Sequence, residues 1–156
     1  MKDTISIVVC DPEDPRTLES VAEAVREYQS VLIPCASGEA VGAAIERQPV
    51  DVVVLNLQKP LEEAFRLLLE IQGKAPQAEV IFVAQFDDEM LWVWMEVIQR
   101  GAYEFLPKPF DPEELKHHVV HATEKHHPVR LRKRPPAESV KDLKATSKKK
   151  ASAAEA

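Results

Sequence analysis

Between residues 4 and 126, short apolar runs rich in β-branched residues alternate five times with longer segments of helical period. No other feature constrains the chain as strongly. Strands joined through a helix must run parallel, so the repeat predicts an α/β domain, a five-stranded parallel doubly wound sheet with helices on both faces. The strands are expected at residues 6–10, 30–34, 51–57, 80–84 and 103–106. Val52, Val53, Val54 and Leu55 are apolar without a break, as a strand covered on both faces requires, so the third strand belongs in the middle.

The helices carry their own punctuation. Asp14 caps the first and Pro15 takes its opening turn, with Leu18, Val21, Ala22, Val25 and Tyr28 spaced to face the sheet. Ser37 caps the second, which turns Ala40, Val41, Ala44 and Ile45 inward. The third starts from Pro60, buries Ala64, Leu67, Leu68 and Ile71, and is expected to end at Gly73. The fifth opens at Asp111-Pro112 and buries Leu115, Val119 and Ala122. Right-handed crossovers then place any ligand crevice at the carboxyl ends of the strands.

Charge divides the chain at residue 127. Residues 1–127 hold 11 Lys+Arg against 23 Asp+Glu, a balance of -12, whereas residues 128–156 hold 9 against 3, a balance of +6. The second segment has no aromatic and no apolar period, so its composition predicts a basic disordered tail, residues 128–156, after a domain of residues 1–127. Its clusters at 130–134 and 148–150 would meet nucleic acid only through phosphates, weakly and with strong salt dependence. No apolar run approaches the roughly 20 residues of a membrane-spanning helix. The N-terminus has no apolar signal region, so the cytoplasm is the expected compartment and its two cysteines are expected as thiols. Nothing resembles a nucleophile elbow, a CxxC pair or an HExxH zinc motif, and no enzyme activity is expected.

The strand ends carry Cys10-Asp11, Asn56, Ala84 and Lys108. Taken in order with IVVCDPEDPR, ASGEA, PVDVVVLNLQKP, VIFVAQ and GAYEFLPKPF, they give the chain its likeness. Over about residues 4 to 126 it resembles the response regulator receiver domain of two-component signalling, a flavodoxin-like fold with strand order 2-1-3-4-5. The most specific piece is Gly101-Ala102 with Phe105 and Lys108-Pro109-Phe110.

The resemblance implies a site in which a histidine kinase phosphorylates an aspartate at the end of the third strand, beside Mg²⁺ held by acids ending the first. A hydroxyl on the fourth strand and a lysine on the fifth bind the phosphoryl group, and an aromatic on the fifth strand, here Phe105, turns in response. Asp11 and Lys108 match, but Cys10 replaces an acid, Asn56 the acceptor and Ala84 the hydroxyl residue. A neutral amide is not a carboxylate nucleophile, so Asn56 cannot form an acyl phosphate. A thiol and an amide also replace two hard oxygen ligands, which leaves Asp11 as a weak Mg²⁺ candidate; no cofactor is expected. Gln85 could donate a hydrogen bond, yet adjacent strand residues point to opposite faces. The chain thus reads as a degenerate receiver in a two-component or phosphorelay setting. Another acceptor would need a carboxylate beside Lys108, and Glu13 and Asp14, which follow the first strand, are expected to be poorly placed. Lys108 is expected to pair with Asp11.

Three further groups stand out. The fourth helix is apolar on every side from Met90 to Met95; with Trp94, Val97 and Ile98 toward the sheet, Leu91, Trp92 and Met95 are left outside. In receivers the face of the fourth helix, fifth strand and fifth helix meets partners, so these three are the expected contacts to a signalling protein or a second copy. The alternative is that Trp92 packs against the third or fifth helix. His117, His118, His121, His126 and His127 cluster on or after the last helix, more an exposed polar face than a metal site. Cys10 and Cys35 end neighbouring strands, where packing is the default and a disulfide is imaginable. With no output domain after residue 127, a signal is expected to leave by protein contact or through the tail.

Overall fold

The computed structural model describes residues 4–85 and 87–126. The basic segment 128–156, His127 and the boundary between them lie outside the described residues. The elements are β1 (Ile5–Cys10), α1 (Pro15–Ala24), β2 (Ser30–Pro34), α2 (Gly38–Arg47), β3 (Val52–Asn56), α3 (Leu61–Lys74), β4 (Glu79–Gln85), α4 (Met90–Gln99), β5 (Glu104–Lys108) and α5 (Pro112–His126). All four strand pairings are parallel, in the order β2-β1-β3-β4-β5. The expected sheet is present, and β3 is its centre.

Alternation along the strands sorts the core into two layers. Val8, Val53, Leu55, Phe82 and Phe105 pack with α2, α3 and α4 on one face. Ile7, Val9, Val52, Val54, Ile81 and Leu106 pack with α1 and α5 on the other. Each such side chain, fully buried, contributes about 1.5–3 kcal/mol by leaving water, which fixes which face every strand-end residue takes. The caps read from sequence hold: Asp14 accepts from Arg16 N at 3.0 Å and Ser37 Oγ from Ala40 N at 3.1 Å.

Three helical details differ from expectation. α1 turns Thr17, Val21 and Ala24 inward, leaving Ala22 exposed, and ends before Val25 and Tyr28. α3 continues through Gly73 to Lys74, because nothing there demands a left-handed residue. Gly101 does adopt one, at φ +102, where the chain leaves α4 for β5, and a Cβ would meet Gln72 Nε2 at 2.5 Å. In α4 the buried residues are Met90, Val93 and Val97 with Trp94 half-buried, while Ile98 faces out. The spacing i, i+3, i+7 defines the inward stripe, and Ile98 lies one residue past it.

Candidate functional site

The carboxyl edge of the sheet gathers the strand-end residues, but the pleat divides them. Asp11 follows β1 with its side chain only 1% exposed. Its Oδ2 accepts from Lys108 Nζ at 2.6 Å and from Thr17 Oγ1 at 2.6 Å, and its Oδ1 is buried with no hydrogen-bond partner among the described residues. The Asp11–Lys108 ion pair expected from sequence is therefore present. Lys108, 9% exposed, also lies 3.3 Å from Asp14 Oδ2. The placement expected for Asp14 is corrected here. After Asp11 the chain turns back, with Asp14 N–H donating to the Asp11 carbonyl at 3.2 Å, and this brings the capping carboxylate onto the lysine. Sequence reasoning missed Thr17; its signal was a hydroxyl at the inward phase of the first helical turn.

Asp14, Arg16, Thr17, Gln85 and Lys108 border a cleft of about 340 Å³. Cys10 and Asn56 open instead into a cleft of about 690 Å³ bordered by α2 and α3, with Ser37, Leu55 and Phe82. Alternation separates Cys10 from Asp11, neighbours in sequence that point to opposite sides, whereas Asn56, in phase with Val54, reaches the larger cleft from the end of β3. Ala84 is buried in the same layer as Phe105, and Gln85 faces the Lys108 cleft, as alternation requires. Among the described residues no three His, Cys, Asp or Glu side chains converge as metal ligands. Around Asp11 the oxygen donors are its one unpaired carboxylate oxygen, the Thr17 hydroxyl and the Asp14 carboxylate, with the Lys108 cation between the two carboxylates, and Cys10 and Asn56 supply a thiol and an amide. That set does not suit Mg²⁺, which takes an octahedron of hard oxygens.

Two sets of charges set the local acid–base behaviour. Arg16, first through its side chain and then its backbone, and Lys108 pull the Asp14 carboxyl from the ordinary 3.8 down to about 2. A carboxyl depressed in the folded chain stabilises the fold above its unfolded value, and that contribution disappears as pH falls toward about 2. Asp14→Asn is therefore expected to flatten the acid limb of a pH–stability curve between about pH 4 and 2, measured by urea denaturation. An unchanged limb would show that Asp14 carries no such linkage. On the other side, burial first, then Cys35 and Asp11, pushes the Cys10 thiol up to about 11. Burial raises Cys35 as well, so both are thiols at neutral pH.

Behind this edge, Phe105 is fully buried and Trp94 lies over it at a ring separation of 5.5 Å. α4 is tied to α3 by Gln72 Nε2 donating to the Arg100 carbonyl at 2.8 Å and by the Arg100 guanidinium 4.1 Å above the Phe65 ring. Lys59 pairs with Glu89 at 3.1 Å beside the start of the helix. On the outer face Leu91, Trp92, Met95 and Ile98 are 62%, 59%, 56% and 39% exposed. Trp92 is thus not core packing against α3 or α5, and Ile98 extends the outward stripe. Among the described residues His117 touches both His121 and His118, at ring separations of 4.1 and 5.4 Å, with His118 also against Tyr103, while His126 stands apart and bonds Glu79 at 2.6 Å.

A five-stranded doubly wound sheet with an aspartate–lysine pair at its carboxyl edge defines the class of the molecule. The response regulator receiver domain model matches residues 7–120, and the chain belongs to that family, the receiver domain of two-component signalling. Over 100 residues it is 25% identical to a protein-glutamate methylesterase/protein-glutamine glutaminase of Rhodospirillum centenum, covering 64% of this chain and 24% of that protein. Over 65 residues it is 40% identical to the DNA-binding transcriptional regulator NtrC of a Bradyrhizobium species, covering 42% of this chain and 13% of that one. The chain thus spans about a quarter or less of these relatives. A response regulator from Thermotoga maritima shares the fold, with TM-score 0.68 and 21% identity over 78% of this chain and 98% of its own. Among the described residues no helix is long and apolar enough to cross a membrane.

Proposed function

We infer that this receiver domain is a phosphorylation-independent docking module of a cytoplasmic two-component or phosphorelay pathway, presenting α4 to a signalling partner or to a second copy. The observation that carries this reading is Asn56 at the end of β3, with Lys108 spent on Asp11 at 2.6 Å. An amide cannot form an acyl phosphate, and the lysine that would bind phosphoryl oxygens is already neutralised. The mismatch of the donors to Mg²⁺ supports the same conclusion, and the domain itself has no catalytic role. Leu91, Trp92, Met95 and Ile98 supply the docking stripe, since Trp and Met are enriched at interface cores. The ties from α3 hold that stripe in one position, as a constitutive surface requires.

Asp14 gives the alternative a specific footing, as the carboxylate 3.3 Å from Lys108. Its oxygens are held by Arg16, however, one at 3.0 Å and the other at 3.4 Å. The test is intact mass after incubation with Mg²⁺ and acetyl phosphate. The native chain is expected to keep its mass, and the Cys10→Asp/Asn56→Asp variant, with two carboxylates restored, to gain a phosphoryl group. A gain by the native chain would overturn the reading, and fragmentation placing it on Asp14 would establish the alternative acceptor.

A further inference from the structure

We propose that Cys10 and Cys35 form a thiol–disulfide pair, a modification site that a low-molecular-weight disulfide oxidises to an intramolecular bond between the ends of β1 and β2. Three observations place the two cysteines side by side. β1 and β2 pair in parallel from Ile5↔Ser30 to Val9↔Pro34, and the Cys35 N–H donates to the Val9 carbonyl at 2.8 Å, carrying the ladder one residue further. Cys10 and Cys35 are the next pair in that register. In-register partners of a sheet point to the same face, and both cysteines pack in the layer covered by α2, α3 and α4. Neighbouring strands lie about 4.7–4.9 Å apart, inside the roughly 4.4–6.8 Å Cα separation that a disulfide spans, and the Cβ separation of about 3.5–4.5 Å that it also needs requires Cys35, past the end of an edge strand, to draw in slightly.

Access is graded in a way that sets the order of events. Cys35 is half-buried just past an edge strand, whereas Cys10 is buried and borders the α2–α3 cleft. The Cys35 thiolate attacks the small disulfide, breaking its S–S bond, forming a mixed disulfide and releasing one thiol. The Cys10 thiolate then attacks the Cys35 sulfur, forming the internal bond and releasing the second thiol. Two protein thiols are oxidised, one small disulfide is reduced to two thiols, and the two cysteine protons pass to the two leaving thiolates. The new bond closes a loop around α1, from which Asp14 and Thr17 reach Lys108 and Asp11. Oxidation thereby braces the Asp11–Lys108 contact from the β1 side.

The experiment uses the full chain, incubated with oxidised glutathione, quenched in acid and weighed intact, with alkylation of remaining thiols. The native chain is expected to lose two hydrogens and to resist alkylation at both cysteines, with the melting temperature raised by about 10 °C. Cys10→Ser is expected to stop at a glutathione adduct on Cys35, and Cys35→Ser to react more than tenfold more slowly. A native chain that stays as the mixed disulfide, remains fully alkylated, or forms only chain-to-chain bonds on a non-reducing gel would overturn the proposal. Cys35→Ser keeps the test open should Cys10→Ser fail to fold, because position 35 lies outside the buried core.

Discussion

Lys108→Met is expected to cost about 3–5 kcal/mol of stability in urea denaturation, with an unchanged m-value. The cost comes from what is left behind. The Asp11 side chain is 1% exposed, and its Oδ2 would keep only the Thr17 hydroxyl, with the Asp14 carboxylate nearby and no cation between them. Methionine fills much of the lysine stem's volume, so packing loss is a minor part of the change. Removing both charges is a different experiment. In Asp11→Asn/Lys108→Met no buried charge is orphaned, and stability is expected to return to within about 1 kcal/mol of the native chain. The double-mutant cycle then isolates the coupling of the pair from the desolvation of each member. A cost below about 1 kcal/mol for Lys108→Met alone would show that water reaches Asp11 and that the pair does not close the site.

That pair was expected from the resemblance to receivers, which assigns Asp11 and Lys108 to one site; the sheet alone does not require it, since β3 and β4 stand between β1 and β5. The strands themselves were legible for a simple reason: an unbroken run such as Val52–Leu55 has no solvent face to offer. What escaped the sequence has physical causes that differ from place to place. α4 is apolar around its whole circumference from Met90 to Met95, so its pattern carries no phase, and the assignment of Ile98 inward instead of Val93 had nothing to correct it. The approach of Asp14 to Lys108 depends on the backbone turn after Asp11, a geometry of a few dihedrals that residue types do not encode. The separation of Cys10 from Asp11 and Lys108 follows from pleat alternation once the layer that each strand face meets is known, whereas Asn56, in phase with Val54, borders the α2–α3 cleft from the end of its strand. Gly73 shows the converse: α3 runs past it and is capped at Ala75 without a left-handed residue, whereas the left-handed turn that follows α4 is made by Gly101.

The second large effect is expected at Phe105. Phe105→Ala removes a fully buried ring paired in register with Phe82 and covered by Trp94, and should cost about 3–5 kcal/mol. The upper part of that range is favoured by two features. Ala84, in the same layer, has too little side chain to occupy the space, and α4 cannot settle into it. The helix is anchored at its far end by Gln72 on the Arg100 carbonyl and by Arg100 over Phe65, so the void persists instead of collapsing. Phe105→Leu, which keeps most of the volume, should cost less than about 1.5 kcal/mol. Fluorescence separates loss of packing from general loosening. In a Trp92→Phe background the emission reports Trp94 alone, and Phe105→Ala should shift it to the red as the indole loses its cover while Phe105→Leu leaves it in place. A small cost with no spectral shift would mean that Trp94 does not lean on Phe105, and the fixed position of α4 would then rest on the α3 contacts alone. A large cost with the shift would make this ring the support on which the exposed Trp92 stripe is held in place for a partner.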